Sequence, residues 1–214
     1  MSREKIIKQH YEPRILPGRP HFEILDWADA QSQRLRFEVL AANVGLAGKS
    51  LLDVGCGLGD LYGFLLERGL TVDYTGVDIS EKMILHARQA HPGGHFLAAD
   101  LFAKNPFGRK RFDVAFCSGT FNLNVGNNIS FLPTALRQLF GLSRRALVFN
   151  LLHRRARRQH PHCVYYEPGE ILKIVKRFRC KVEVIDDYLH NDFTVVCRPL
   201  ASSRVSRAAK RKKT

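Results

Sequence analysis

Apolar positions follow two different periods along this chain, and the two periods alternate. Between residues 29 and 44, Phe37, Leu40 and Val44 recur on one side of a helix, whereas the short apolar runs that come later are typical of buried strands. We predict strands over 50–54, 72–77, 95–98, 112–117, 146–152, 181–185 and 193–197. We predict helices over 29–44, 60–68, 80–91, 131–141 and 168–178. Strands that alternate with helices indicate a parallel sheet, and the last two strands indicate an antiparallel hairpin.

The two ends of the chain have a different pattern. Residues 1–20 mix polar and apolar positions with several Pro and Gly residues, which predicts an irregular arm with one helical turn near 5–10. Residues 201–214 are rich in Ser, Ala, Lys and Arg and have little to bury, so we expect disorder there. We therefore divide the chain into an N-terminal arm with a lid helix (1–45), a central domain (46–200) and a basic tail (201–214).

The composition is that of an ordinary globular protein, with 214 residues, 45% hydrophobic and 25% charged. There is no run of 18 apolar residues to span a membrane, and the charged start of the chain leads into no apolar signal segment. We therefore expect a soluble, cytoplasmic protein. The five cysteines form no Cys-x-x-Cys pair, so we expect reduced, mostly buried thiols and no metal.

The net charge of +14 is concentrated in two places. Six basic residues lie within 204–214, which leaves +8 on the rest of the chain. A second cluster comprises Arg154, Arg155, Arg157 and Arg158. Two interpretations remain open, because such clusters occur both on solvated surfaces and at sites for RNA or another anion.

A glycine-rich turn follows the first predicted strand, where residues 51–60 read LLDVGCGLGD. Glycines at such a bend allow a sharp turn and let a ligand approach the main chain. The third glycine comes one residue earlier than in the dinucleotide fingerprint, and Asp60 stands where a pyrophosphate would bind. Because like charges repel, Asp53 and Asp60 favour a ligand with a cationic amine over a phosphate.

Two further predicted strands also end in carboxylates. Asp78 lies about 20 residues beyond the glycine turn, where a ribose diol would donate two hydrogen bonds. Asp100 follows the third strand and can accept a hydrogen bond from an adenine amino group. A single such acid is often a helix cap or a solvated loop residue. Three acids at the ends of successive predicted strands, Asp53, Asp78 and Asp100, instead indicate a nucleoside site.

Over about residues 50–200, the chain resembles the class I S-adenosylmethionine-dependent methyltransferases of the small-molecule type. Residues 52–59 correspond to the glycine motif of that family, Asp78 to its ribose-binding acid, and Asp100 with Leu101 to its adenine-contacting loop. The resemblance implies a Rossmann-like α/β fold with a seven-stranded sheet of order 3-2-1-4-5-7-6, its last strand antiparallel, and helices on both faces. It also implies S-adenosyl-L-methionine as cofactor, with S-adenosyl-L-homocysteine as product.

The resemblance further implies a set of cofactor-binding residues. Met83 resembles the adenine-packing methionine of the family, and Arg36 resembles an arginine that holds the cofactor carboxylate in several members, although a solvated helix arginine is the alternative. Trp27 fits either the core or a lid over the cofactor. The implied set is Arg36, Asp53, Gly55, Cys56, Gly57, Asp78, Ile79, Met83, Asp100, Leu101, Cys117 and Ser118.

The activity that the resemblance implies is methyl transfer (EC 2.1.1.-) to N or O of a small-molecule acceptor, which the arginine cluster would suit if the acceptor is anionic. The loop that starts at Cys117 lacks the Asn/Asp-Pro-Pro-Tyr tetrad of members that methylate DNA and release factors. His153, directly after the fifth strand, is the candidate base or acceptor-orienting group, or else a solvated histidine beside the arginines. Two alternatives are an RNA methyltransferase that uses the basic loop and tail, and a non-catalytic cofactor-binding module.

Overall fold

A seven-stranded mixed sheet forms the centre of the computed structural model, which describes residues 1–200. The strands are β1 (Ser50–Val54), β2 (Asp73–Asp78), β3 (His95–Ala98), β4 (Phe112–Cys117), β5 (Ser143–Leu152), β6 (Cys180–Ile185) and β7 (Asp192–Pro199). Their order is β3-β2-β1-β4-β5-β7-β6, with β7 antiparallel to β5 and β6 and the other pairs parallel. The predicted fold is confirmed, and the predicted tail lies outside the described residues.

Helices pack on both faces of the sheet. They are α1 (Arg3–Tyr11), α2 (His21–Ile24), α3 (Ala30–Asn43), α4 (Asp60–Glu67), α5 (Glu81–Ala90), α6 (Asn128–Leu142) and α7 (Pro168–Val175). One core, which includes Phe112, Leu136 and Phe149, lies between the sheet and α6 and α7. The other, which includes Leu40 and Phe116, lies between the sheet and α3, α4 and α5. Because both faces are covered, β1 and β4 are buried over most of their length, as parallel strands usually are.

Side-chain caps set several helix boundaries. Ser80 caps α5 by accepting a hydrogen bond from the Met83 N–H at 3.3 Å, and Asp29 caps α3 through the Ser32 N–H at 2.6 Å. Helix α6 starts before its apolar stretch, at Asn128, whose Nδ2 donates to the carbonyls of Phe121 and Leu123. The sequence pattern predicted a later start because side-chain contacts with the preceding loop, and not apolar periodicity, fix the first turn of α6.

The N-terminal arm is more regular than its pattern predicted. Helix α1 has nine residues instead of a single turn, and a 3₁₀ turn follows at Glu12–Arg14. The Ser2 hydroxyl caps α1 through the Lys5 N–H at 3.3 Å, and Glu4 pairs with Lys8 at 2.8 Å. Contacts with the rest of the chain, described below, add to these local ones. Within residues 1–200, every helix is too short or too polar to cross a membrane.

Candidate active site

A cavity of about 740 Å³ opens at the carboxyl ends of β1, β2 and β4. β2 and β4 lie on opposite sides of β1, so the order in which successive strands are added to the sheet reverses at β1. Open α/β sheets bind their ligands at such a point. The cavity is also lined by the N-terminal arm and by the loop after β5, which lie over the strand ends.

The glycine turn forms the floor of this cavity. Gly55 has φ +74°, and a Cβ there would lie 2.2 Å from the Thr120 hydroxyl oxygen, so a side chain has no room. The Gly55 N–H donates to the Val77 carbonyl at 2.8 Å, and Cys56 also lines the cavity. Asp60 begins α4 and accepts from Gln33 Nε2 at 2.7 Å. The turn therefore presents bare backbone to a ligand, next to a carboxylate that disfavours a phosphate.

Asp78 stands at the tip of β2 in the cavity wall. One carboxylate oxygen accepts from the Gly57 N–H at 3.0 Å, and the other accepts from the Ser80 N–H at 2.9 Å. Desolvation raises the pKa of Asp78, and these two backbone donors oppose that rise. Ile79 and Met83 line the cavity beside it. The carboxylate is thus fixed in orientation, with acceptor capacity left for hydroxyl groups of a ligand.

Asp53 is a buried carboxyl group at the end of β1, and its side chain also lines the cavity. Its one side-chain partner within the described residues is the Tyr74 hydroxyl, which donates to it at 2.7 Å. Burial raises the pKa of Asp53 to about 7, although the Tyr74 hydrogen bond opposes this. A positively charged group in the cavity would favour the ionised form of Asp53.

Asp100 meets the N-terminal helix. The Arg3 guanidinium pairs with its carboxylate, with Nη2 2.6 Å from Oδ2, and lies over the ring of Phe131 at 4.6 Å. Asp100 also accepts from the Phe102 N–H at 3.0 Å, and Leu101 is buried beside it in the cavity wall. Helix α1 is therefore tied to the part of the cavity where the sequence placed an adenine ring.

Arg36 is buried, which excludes the alternative of a solvated helix arginine. Its Nε donates to the Asp192 carboxylate at 3.0 Å, and its guanidinium also donates to the Ser32 carbonyl. The Trp27 ring covers the guanidinium at 4.2 Å. A Cβ at Gly119 would lie 2.7 Å from this indole. Arg36 and Trp27 both line the cavity, so Trp27 forms part of its wall.

Two of the predicted site residues do not line the cavity. His153 is 6% exposed, its Nδ1 accepts from the Arg155 N–H at 3.1 Å, and its ring packs edge-on against Phe193. Burial and the nearby Arg155 charge lower the pKa of His153. Cys117 lies in the core below the sheet end, while its neighbour Ser118 reaches the cavity. The histidines that line the cavity are His160, His162 and His190.

The sequence did not predict a cluster around Asp26. Asp26 Oδ2 lies 3.0 Å from both His10 Nε2 and His162 Nε2, and Asp26 Oδ1 lies 2.6 Å from Arg14 Nη1. These donors, His10 and Arg14 above all, hold the pKa of Asp26 well below its usual range. The residues come from three separate segments without a shared motif, so only the fold brings them together.

The four arginines of the loop after β5 separate into two pairs. Arg154 pairs with Glu170 at 3.0 Å and Arg155 with Asp186 at 3.3 Å, both at exposed positions. Arg157 and Arg158 line the cavity and form no ion pair with any residue that the structure describes. The charges of the second pair are therefore free to meet an anion in the cavity.

Comparisons with known proteins agree with this geometry. A family model described as a methyltransferase domain matches residues 51–144. The Mycobacterium tuberculosis protein Rv1506c, provisionally named a methyltransferase, is 30% identical over 156 residues, which are 70% of this chain and 92% of that protein. The trans-aconitate 2-methyltransferase of Delftia acidovorans is 31% identical over 124 residues, 54% of this chain and 46% of the enzyme. This chain thus matches less than half the length of the latter enzyme.

A solved structure shows the same fold with the cofactor in place. The magnesium protoporphyrin IX methyltransferase of Synechocystis, with bound S-adenosylmethionine, superposes with a TM-score of 0.67 at 20% identity, over 92% of this chain and 98% of that chain. This chain belongs to the class I S-adenosylmethionine-dependent methyltransferases, and S-adenosyl-L-methionine is its cofactor.

The residues of the cavity fit that cofactor. The Ser118 hydroxyl oxygen is buried in the wall without a hydrogen-bond partner in residues 1–200, so it is available to a polar ligand. Gly55, Cys56 and Gly57 bring main-chain atoms to the cavity wall, where a ligand can approach the backbone closely. Asp53, Asp60 and Asp78 supply negative charge without a phosphate-binding lysine, as a cationic sulfonium and amine require.

Proposed function

We propose that this protein transfers a methyl group from S-adenosyl-L-methionine to an oxygen or nitrogen of a small anionic molecule. The observation that carries the proposal is a cavity that has two unpaired, solvent-exposed arginines among its lining residues, Arg157 and Arg158. A volume of about 740 Å³ is in the upper part of the range for small-molecule sites, roughly 300–1,000 Å³. It accommodates a cofactor with a small acceptor beside it.

We assign the cofactor to the floor and the β2 side of the cavity. Asp78 would accept hydrogen bonds from the ribose hydroxyls, and Met83 with Ile79 would pack against the adenine. Asp100 remains our candidate for the adenine amino group, in competition with Arg3. When bound, the cofactor supplies a methyl group on a positively charged sulfur, which makes that carbon electrophilic.

The methionine part of the cofactor would lie near the glycine turn. Asp53 and the Ser118 hydroxyl are in reach of a cationic amine there, and Arg36 is in place for the carboxylate. Because Asp192 already neutralises Arg36, this arginine would orient the cofactor carboxylate by hydrogen bonds more than it would attract the carboxylate by net charge. The main task of the protein is then to align the acceptor with the bond from sulfur to methyl, since orientation can supply up to roughly 7–11 kcal/mol.

The acceptor would lie on the side of the loop after β5. Arg157, Arg158 and His160 of that loop line the cavity, and so do Tyr11 and Trp27 of the N-terminal arm. Positive charge without an acidic partner favours an anionic acceptor, such as a carboxylate or a phosphate. The relative from Delftia acidovorans is named for trans-aconitate, which is itself a carboxylate anion. A carboxylate oxygen carries no proton at neutral pH, so its methylation needs no general base.

The test is methyl transfer by the full-length protein from methyl-labelled cofactor into a cell extract that is afterwards separated into small molecules and RNA. We expect the label in the anionic small molecules. Label in RNA would establish the RNA-modifying alternative, and label confined to neutral acceptors would contradict the anionic one. With a labelled acceptor in hand, Arg157→Gln and Arg158→Gln should raise its KM at least tenfold, whereas Arg154→Gln, whose charge pairs with Glu170, should not.

A further inference from the structure

Two imidazoles and one carboxylate converge at the wall of the active-site cavity. The Nε2 atoms of His10 and His162 each lie 3.0 Å from Oδ2 of Asp26, and these three atoms all lie within 4.8 Å of one another. Around a tetrahedral zinc ion with bonds of about 2.0–2.1 Å, ligand atoms are roughly 3.4 Å apart. Side-chain shifts of about an ångström would therefore place all three atoms at bonding distance from one ion.

We propose that His10, Asp26 and His162 form a binding site for a divalent transition-metal ion of the zinc class. Two neutral imidazole nitrogens and one carboxylate oxygen are a donor set that such ions prefer over Mg²⁺ or Ca²⁺. Three protein ligands leave a fourth position open, as in catalytic rather than structural zinc sites. No motif in the sequence indicated this site, because its three ligands come from distant parts of the chain.

The open position of a bound ion would lie next to the cavity. Asp26 and His162 both line it, together with Arg158 and His160. A bound ion would therefore add positive charge where we place the acceptor, and could hold an anionic oxygen or lower the pKa of a hydroxyl acceptor. This role depends on the proposed function, whereas the binding of the ion does not.

Arg14 sets the expected strength of the site. Its Nη1 lies 2.6 Å from Asp26 Oδ1, so the carboxylate can offer only its other oxygen to a metal. The nearby guanidinium charge also repels a cation. We therefore expect a dissociation constant in the micromolar range, and an Arg14→Gln variant that binds the ion about tenfold more tightly because glutamine keeps a donor without the charge.

The experiment uses the full-length protein without an affinity tag, stripped by a chelator and titrated with Zn²⁺ by calorimetry and with Co²⁺ by visible absorption. We expect about one ion per chain and the intense absorption of tetrahedral Co²⁺. His10→Ala and His162→Ala should each weaken binding at least thirtyfold. His86→Ala, an exposed histidine on α5, is the matched control and should leave binding unchanged.

Asp26→Asn separates a metal site from a purely hydrogen-bonded contact. Asparagine keeps an acceptor oxygen for both imidazoles but loses the ion pair with Arg14, so the melting temperature of the ion-free protein should fall. Added Zn²⁺ should raise the melting temperature of the wild type and leave that of Asp26→Asn unchanged. Failure to bind either ion at micromolar concentrations would overturn the proposal, as would binding that survives in His10→Ala and His162→Ala. Because these titrations contain neither cofactor nor acceptor, their failure is distinct from failure of methyl transfer.

Discussion

Asp53 is a carboxyl group whose charge changes near neutral pH. Its pKa is raised to about 7 by burial, above the value of 3.8 for an exposed aspartate. Between about pH 4 and 7, the folded state therefore binds more protons at this position than the unfolded state. It follows from linkage that Asp53 favours folding at low pH and loses that contribution as the pH rises through 7.

The first prediction concerns this loss of stability with rising pH. Asp53→Asn keeps an acceptor for the Tyr74 hydroxyl and removes the titration. In urea unfolding without cofactor, the wild-type protein should lose stability relative to this variant between pH 5 and 8, by a few kcal/mol, since each pKa unit corresponds to about 1.4 kcal/mol. Parallel pH profiles for the two proteins would show that Asp53 does not titrate in this window.

The second prediction concerns Asp78. Asp78→Asn should weaken the affinity for S-adenosyl-L-homocysteine by about 1–3 kcal/mol, roughly 5–150-fold, because the ribose hydroxyls lose a charged acceptor. Isothermal titration calorimetry measures this directly. Asp73→Asn, at the exposed opposite end of β2, is the matched control and should bind as the wild type does. Equal affinities for all three proteins would remove Asp78 from the proposed site.

Sequence reasoning could place Gly55 and Asp78 at the cavity because a turn and a strand end fix their positions within a few residues. The interpretation of His153 rested on its place after β5 alone, which does not determine the direction of a side chain. Asp26 and His162 are 136 positions apart in the sequence, and no local sequence pattern predicts a contact over that distance.

At the scale of elements, a buried ion pair joins α3 to β7. Arg36 and Asp192 are 2% and 0% exposed, and the Tyr188 hydroxyl also donates to Asp192 at 2.6 Å. Removing one partner of such a pair leaves an uncompensated charge in a medium that solvates it poorly. The attachment of α3, and with it the wall around Trp27, therefore depends on this pair.

The third prediction follows from that pair. Arg36→Leu should lower the free energy of unfolding by about 3–5 kcal/mol, because Asp192 remains buried without its counter-ion. Arg34→Leu, two residues earlier on α3, removes an exposed pair with Glu67 and should change stability far less than Arg36→Leu does. Chemical denaturation of both variants gives the comparison. Similar losses in the two would mean that the buried pair contributes no more than the exposed one.

Most elements were predictable because their apolar pattern agrees with their tertiary surroundings. β1, β3 and β4 have the predicted bounds, since each is a short apolar run closed by turn residues. Helix α1 was underestimated because it has few apolar positions and depends on contacts such as Arg3 with Asp100. Sequence periodicity reports burial along one element, and it carries no information on partners distant in the chain.

At the scale of the whole molecule, the first 28 residues lie over the cavity and connect to both of its sides. Arg3 reaches the β3 side through Asp100, and Asp26 reaches the loop after β5 through His162. A ligand enclosed in this way binds the folded chain and not the unfolded one. Its binding therefore stabilises the fold as a unit.

The fourth prediction concerns this coupling. At 100 times its dissociation constant, S-adenosyl-L-homocysteine should stabilise the protein by about 2.7 kcal/mol, which corresponds to a rise in melting temperature of roughly 5–10 °C for a chain of this size. Differential scanning fluorimetry shows the shift. NAD and ATP serve as controls and should give none. A shift with either nucleotide but not with S-adenosyl-L-homocysteine would contradict our assignment of the acidic cavity wall.

The reversed direction of β7 carries the chain away from the cavity. β7 begins at Asp192, beside the cavity, and ends at Pro199, next to the first residue of β6. The seven residue-to-residue steps from Asp192 to Pro199 cover about 23 Å, so Leu200 lies at the end of the sheet that is far from the cavity. That separation is nearly three screening lengths of about 8 Å at physiological salt. A fluorophore or fusion partner joined directly to Leu200 would accordingly leave the entrance of the cavity unobstructed and the electrostatic potential there unaltered.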